Sequence, residues 1–250
     1  LVKRGILLLE YVKIGALLEM KMAQPCDFYV RSYGKSHMRK SGTRHINMDI
    51  TNRCTLECVT CERQHRIQLK GKVVGEVLSV SDFEKYIPWF DHFDFCGQVS
   101  DPSMHPEFDK ILELVAKNDK SADVHNTASQ RPERWYRKMF DISSGTKIAW
   151  RFGIDGLPKD SHKYRTRQDG QKLFDMMSIA AKYNPGFEIY WKYIVFNYNQ
   201  HDIEECKQMA KDMGVIFNTV NSRRHPPGLR PDEELTSKLA MDNTYFYPND

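Results

Sequence analysis

The stretch Asp49-Ile-Thr-Asn-Arg-Cys54-Thr-Leu-Glu-Cys58-Val-Thr-Cys61-Glu-Arg63 sets three cysteines in the pattern C-x3-C-x2-C, and no fourth cysteine follows nearby. A closed structural metal site recruits a fourth protein ligand, whereas an open coordination position is where a metal or cluster meets a substrate. Three thiolates can hold three irons of a four-iron cluster and leave the fourth iron open. The same triad joined by His65, four residues beyond Cys61, makes a Cys3His zinc site, and that alternative stays open.

Outward from the cysteines the chain alternates strand-like and helix-like segments. His45 to Thr51 reads as a short strand that ends at the cysteines, followed by a helix near Glu62 to Leu69. Ser81 with Glu84 forms a capping box that opens a helix. His92 to Gly97 reads as the second strand. Pro106 to Lys117 reads as a helix with Phe108, Ile111, Leu112 and Val115 on one face. Asp123 to Thr127 is a brief third strand, and Pro132 opens a helix through Phe140. Lys147 to Asp155 and Phe187 to Phe196 are the fourth and fifth strands, with a helix over Gln171 to Tyr183 between them. Asp202 caps a helix that Gly214 ends, and Val215 to Val220 is the sixth strand. Repeated strand–helix units predict a parallel sheet with helices outside, here an α/β fold of the incomplete (β/α)6, TIM-like barrel kind. In that geometry the loops after the strands share one rim. The cysteines, Cys96-Gly-Gln, Asn126-Thr and Asp155-Gly converge there.

A chain of 250 residues is long enough for one large domain with a substantial core. The expected organisation is an N-terminal extension over 1–44, a core barrel over 45–220 and a C-terminal tail over 221–250. The tail is rich in Pro, Asp and Asn and reads as loop, with one short helix near Asp232 to Leu239. The net charge of +4 comes from basic residues scattered among nearly as many acidic ones and does not by itself suggest a nucleic-acid partner. Six cysteines, three clustered and three dispersed, do not resemble a secreted disulfide framework, so a reducing, cytoplasmic setting is expected. Residue 1 is Leu. The apolar run Gly5 to Glu19 is too short and too charged to span a bilayer. It reads as an amphipathic helix or as sequence upstream of a start at Met20 or Met22.

The C-x3-C-x2-C motif resembles that of the radical S-adenosylmethionine (radical SAM) enzymes, and three later segments carry the resemblance in the same order. Phe95-Cys-Gly-Gln-Val-Ser-Asp-Pro-Ser-Met-His-Pro-Glu107 resembles the family's second-strand loop. Gly153-Ile-Asp-Gly-Leu157, with His162-Lys-Tyr-Arg165, resembles the fourth-strand motif of the branch related to peptide maturases. Tyr190 to Asn199 resembles the fifth strand. No further cysteine-rich cluster of the kind that branch often carries follows Cys206.

The resemblance implies an enzyme whose cofactors are a [4Fe-4S] cluster and S-adenosyl-L-methionine. Its chemistry is reductive cleavage to a 5′-deoxyadenosyl radical that takes hydrogen from a substrate, here unknown. It further implies an electron donor such as a flavodoxin or ferredoxin. Cys54, Cys58 and Cys61 are the implied cluster ligands. Gly97, with Gln98 or Asp101, is implied to meet the methionine amino group, Asp155 the ribose, and Arg165 the methionine carboxylate. Asn126 and Thr127 stand where the family often has Thr-Asn-Gly, and Thr60 where an aromatic residue is common. Outside these motifs, Cys96 reads as a small buried residue at a strand end. Trp191 and Tyr193 read as core, with Lys192 between them pointing into the barrel.

Overall fold

The computed structural model describes residues 44–246, apart from 74, 184–185, 223–225, 227 and 235–241. The expected N-terminal helix, Cys26 and most of the expected helix over Asp232 to Leu239 lie outside the described residues. One seven-stranded sheet runs in sequence order, and its edge strands do not pair with each other. The strands β1 (His45–Asn47), β2 (His92–Phe95), β3 (Ser121–Asn126), β4 (Lys147–Gly153), β5 (Ile189–Ile194) and β6 (Ile216–Asn221) are all parallel. The helices α1 (Glu62–Lys70), α2 (Val80–Glu84), α3 (Phe108–Lys117), α4 (Glu133–Ser143), α5 (Gly170–Ala180) and α6 (Ile203–Met213) lie between them in the chain. This is the expected open, incomplete barrel.

The helices form where the apolar spacing and caps predict. Phe108, Ile111, Leu112 and Val115 of α3 are all fully buried, which is the i, i+3, i+4, i+7 stripe. Pro132 stands at the start of α4, and Gly214, at φ 73°, ends α6 in the left-handed conformation that glycine adopts without strain. Two expectations are corrected. The cap of α2 is Ser79, not Ser81: its hydroxyl accepts from the Asp82 amide at 3.1 Å. The tail is not all loop, because β7 (Asp242–Phe246) adds to β6 as an antiparallel strand. No repeated apolar alternation announces that strand in the sequence.

The two faces of the sheet differ in chemistry. Toward the helices the strands present Ile46, Phe93, Phe95, Val124, Ile148, Trp150, Phe152, Trp191, Tyr193 and Phe217, all buried in one continuous core. The alternate positions form the inner face and are largely polar: His45, Asn47, His92, Asp94, Asp123, His125, Arg151 and Lys192. The inner apolar patch is small: Ala149, Tyr190 and Ile216. The alternation predicted for Trp191, Lys192 and Tyr193 is therefore observed. Among the described residues no helix is long and apolar enough to cross a membrane.

Trp150 sits at the centre of the outer core. Its ring meets Phe140 edge-on at 5.1 Å, and its indole N–H donates to Ser143 Oγ at 3.0 Å. Trp150→Ala leaves a large void and removes the donor to Ser143 Oγ, which keeps its own bond to the Met139 carbonyl, so it should cost about 3–5 kcal/mol in a urea unfolding titration.

Candidate functional site

The loop after β1 carries the three cysteines to the C-terminal rim of the sheet. Cys61 is the residue before α1, and its amide donates to the Cys58 carbonyl at 3.1 Å. The Leu56 amide donates to Cys54 Sγ at 3.4 Å. All three thiols are half-buried and free. The loop is tied to its neighbours on both sides. The Arg63 guanidinium donates to the Asn52 and Val99 carbonyls at 2.5 and 3.0 Å. The Glu57 amide donates to the Thr166 carbonyl at 3.1 Å, and Thr60 and Tyr164 share a hydroxyl–hydroxyl bond of 3.1 Å. The loop after β1 thus meets the loops after β2 and β4.

Gly97 lies in the tight turn after β2. A Cβ there would stand 1.9 Å from the Ser100 carbonyl oxygen, so only glycine fits. The close approach read from the sequence is thus an approach of the turn to itself. Asp49, at the end of the extended segment after β1, holds this turn: its carboxylate accepts from the Gln98 and Val99 amides and from Ser100 Oγ, at 3.1, 3.3 and 2.5 Å. Gln98 itself is exposed.

Asp101 is buried, and six donors surround its carboxylate. They are the Ser103 amide and hydroxyl, Asn126 Nδ2, the Thr127 amide and hydroxyl and the Ala128 amide, at 2.5–3.4 Å. This carboxylate joins the loop after β2 to the loop after β3. Asn126 also donates to the Ala128 carbonyl at 3.1 Å, while its own Oδ1 is buried and accepts no hydrogen bond.

Asp155 and Arg165, read as separate contacts, stand against each other. Arg165 Nε lies 2.7 Å from Asp155 Oδ2, both side chains being buried or nearly so. Asp155 Oδ1 accepts from the Ile194 amide at 2.7 Å, binding the end of β4 to β5. Burial pushes the Asp155 carboxyl up, against the pull of the Arg165 charge. The guanidinium stays protonated at any accessible pH, so the ionised pair is the state that leaves no lone buried charge. Arg165 covers Gly153, where a Cβ would come within 3.0 Å of its Nη2 and 2.2 Å of the Thr127 methyl. Its position also reaches Cys58. Burial pushes the Cys58 thiol up to about 11, with the Arg165 charge pulling the other way. Burial, then the Asp101 carboxylate, pushes the Cys54 thiol up to about 12.

The residues singled out from the sequence thus form two groups on one rim. Asp101 and Asn126 make one; Cys58, Asp155 and Arg165 make the other; Gln98 stands outside both. Sequence reasoning missed Asp49 and Gln168. Gln168 Nε2 donates to the Thr127 and Gly153 carbonyls at 2.7 and 2.8 Å and closes the seam between β3 and β4. Neither residue lies on an apolar period, and each acts through space on another loop.

The donor set suits a cluster. The ligand atoms of Cys54, Cys58 and Cys61 are not gathered within 4.8 Å of one another, with or without His65. A single tetrahedral zinc at thiolate distance requires sulfurs about 3.8 Å apart.

No family model matches the chain. A curated relative, the tungsten-containing aldehyde ferredoxin oxidoreductase cofactor-modifying protein of Pyrococcus furiosus, is 19% identical over 188 residues. The match covers 72% of this chain and 51% of the relative, so the chain spans about half the length of that protein. Among solved structures, Streptococcus suis SuiB bound to S-adenosylmethionine superposes with a TM-score of 0.62 at 11% identity, over 78% of this chain and 46% of SuiB. The structure of anSMEcpe with bound AdoMet and Cp18Cys peptide gives 0.55 at 14%, over 78% of this chain and 56% of that one. TYW1 with a lysine-pyruvate adduct bound gives 0.51 at 11%, over 75% and 69%. At these identities the likeness is one of fold, and the chain has the partial-barrel fold of the radical SAM enzymes.

Proposed function

We propose that residues 45–220 are the core of a radical SAM enzyme, with a [4Fe-4S] cluster held by Cys54, Cys58 and Cys61. The observation that carries this is the set of three free, half-buried thiols on the rim, spread too widely for one shared ion and faced by a buried arginine. When bound, the cluster supplies one electron to the sulfonium of S-adenosylmethionine and so yields a 5′-deoxyadenosyl radical that takes hydrogen from the substrate.

The chain's own residues bind and orient. Arg165 brings a permanent positive charge beside Cys58, where thiolate charge accumulates, and its fork suits the methionine carboxylate. Asp155 fixes that fork by pairing with it, and its carboxylate stands at a strand end where ribose hydroxyls can donate to it. Asn126 Oδ1 is a buried acceptor with unfilled capacity, suited to the ammonium or a hydroxyl of the cofactor. Asp101 has its oxygens engaged, so its part is to hold the loops. The amino-group contact in that loop falls to Gln98, whose backbone Asp49 fixes and whose side chain is exposed.

The substrate class that fits best is a peptide or protein. SuiB and anSMEcpe, which share the fold, have been solved with peptides bound. An electron donor such as a flavodoxin or ferredoxin, and a cytoplasmic setting, belong to the same proposal.

Anaerobic reconstitution with iron and sulfide should give a brown protein with about four irons per chain that cleaves S-adenosylmethionine when reduced. The Cys54, Cys58, Cys61 triple-Ala chain should lose the iron and the cleavage together. A colourless protein holding one zinc at these cysteines would establish the Cys3His alternative instead.

Asp101 and Gln98 separate by stability. Asp101→Asn turns an amide N–H toward buried donors and should cost about 2–4 kcal/mol in denaturant unfolding of the metal-free chain. Gln98→Ala should change it by less than about 0.5 kcal/mol.

A further inference from the structure

The inner face of the sheet carries a second constellation. Asp94 lies on β2, Cys96 just beyond its end, and His125 on β3. The parallel register aligns Phe95 with Val124, so the next step along both strands sets Cys96 beside His125 on the inner face. One ligand atom from each of Asp94, Cys96 and His125 lies within 4.8 Å of the other two, and all three residues are half-buried.

His125 Nε2 and Asp94 Oδ1 are 3.2 Å apart. That oxygen is buried and faces the His125 imidazole. A nitrogen and an oxygen bound to one tetrahedral zinc at 2.0–2.1 Å stand about 3.3 Å apart, so this edge of a coordination tetrahedron is already formed. The other carboxylate oxygen is held by Asn47 Nδ2 at 2.9 Å, the kind of outer support that orients a ligating carboxylate.

We propose that Asp94, Cys96 and His125 form a mononuclear site for a divalent ion of the zinc class, distinct from the rim cysteines, with its fourth position open to the barrel interior. Three protein ligands with one open position is the arrangement of zinc sites that act on a bound molecule. A thiolate and a carboxylate balance the double charge of the ion. The groups facing the site from neighbouring strands set what completes it. Lys192 of β5 acts electrostatically on both Cys96 and His125. The Arg151 charge of β4 is already met by Asp123 at 3.0 Å. With the ion's charge balanced and the Lys192 ammonium acting on the site, the open position favours an anionic oxygen, so the ligand class is a carboxylate-bearing substrate or hydroxide.

The test uses the cluster-loaded chain, exposed to micromolar zinc and then dialysed against zinc-free buffer. Metal analysis should find about one zinc beside the iron. X-ray absorption at the zinc edge should show one sulfur at about 2.3 Å and the remaining ligands, nitrogen or oxygen, at about 2.0 Å. Cys96→Ser should remove the sulfur. Asn47→Ala should weaken zinc binding by about 10–100-fold with iron unchanged. The Cys54, Cys58, Cys61 triple-Ala chain should keep its zinc, which separates failure of this site from failure of the cluster. The proposal is overturned if no zinc is retained, since the three groups are then a hydrogen-bonded relay without an ion. A shell of three sulfurs, placing zinc at the rim cysteines, or a shell unchanged by Cys96→Ser, also overturns it.

Discussion

Where a parallel sheet ends, the last amides and carbonyls of each strand run out of ladder partners, and a rim built from loops must supply replacements. Here one polar side chain per seam does so. Asp49 after β1 takes the amides of the turn after β2. Asp101 after β2 takes the amides of the loop after β3. Gln168 bonds carbonyls from β4 and from the loop after β3. Asp155 after β4 takes an amide of β5. Hydrogen bonds of amides to a carboxylate are stronger than neutral ones, so these seams hold the cysteine loop and its neighbours at fixed distances.

The same principle explains which parts of the molecule were legible beforehand. The order of strands and helices and the core stripe of α3 are local patterns, and the structure has them where the sequence places them. The rim contacts are not local. Asp155 and Arg165 are ten residues apart and meet because a loop folds back over Gly153. Asp101 meets its amides across two loops. Ser79 was passed over for Ser81 because both precede an acidic residue three positions on. The strand β7 was missed because it pairs antiparallel at the edge of an otherwise parallel sheet.

The inner face sets a second constraint. The outer core is apolar and supplies the burial energy, which frees the inner face to carry charge. Charge removed from water costs stability unless it is paired. The pairing is visible: Asn47 with Asp94, His92 with Ser121, and Arg151 with Asp123 and stacked on Tyr190 at 3.9 Å. An apolar filling would hold the fold at lower cost, so an interior of this composition makes sense as a surface that meets a polar ligand.

Within both sites, residues divide by how much bonding capacity they have left. Asp49, Asp101 and Gln168 are committed to the chain itself, and a ligand would have to displace strong internal bonds to use them. The three rim thiols and Asn126 Oδ1 are not so committed. A folded chain keeps a buried oxygen without a donor only at a cost of about 1–3 kcal/mol. That cost is recovered when a ligand supplies the missing partner. Asn126 Oδ1, at the end of β3, keeps acceptor capacity on the rim, and the saturated aspartates hold the loops around it.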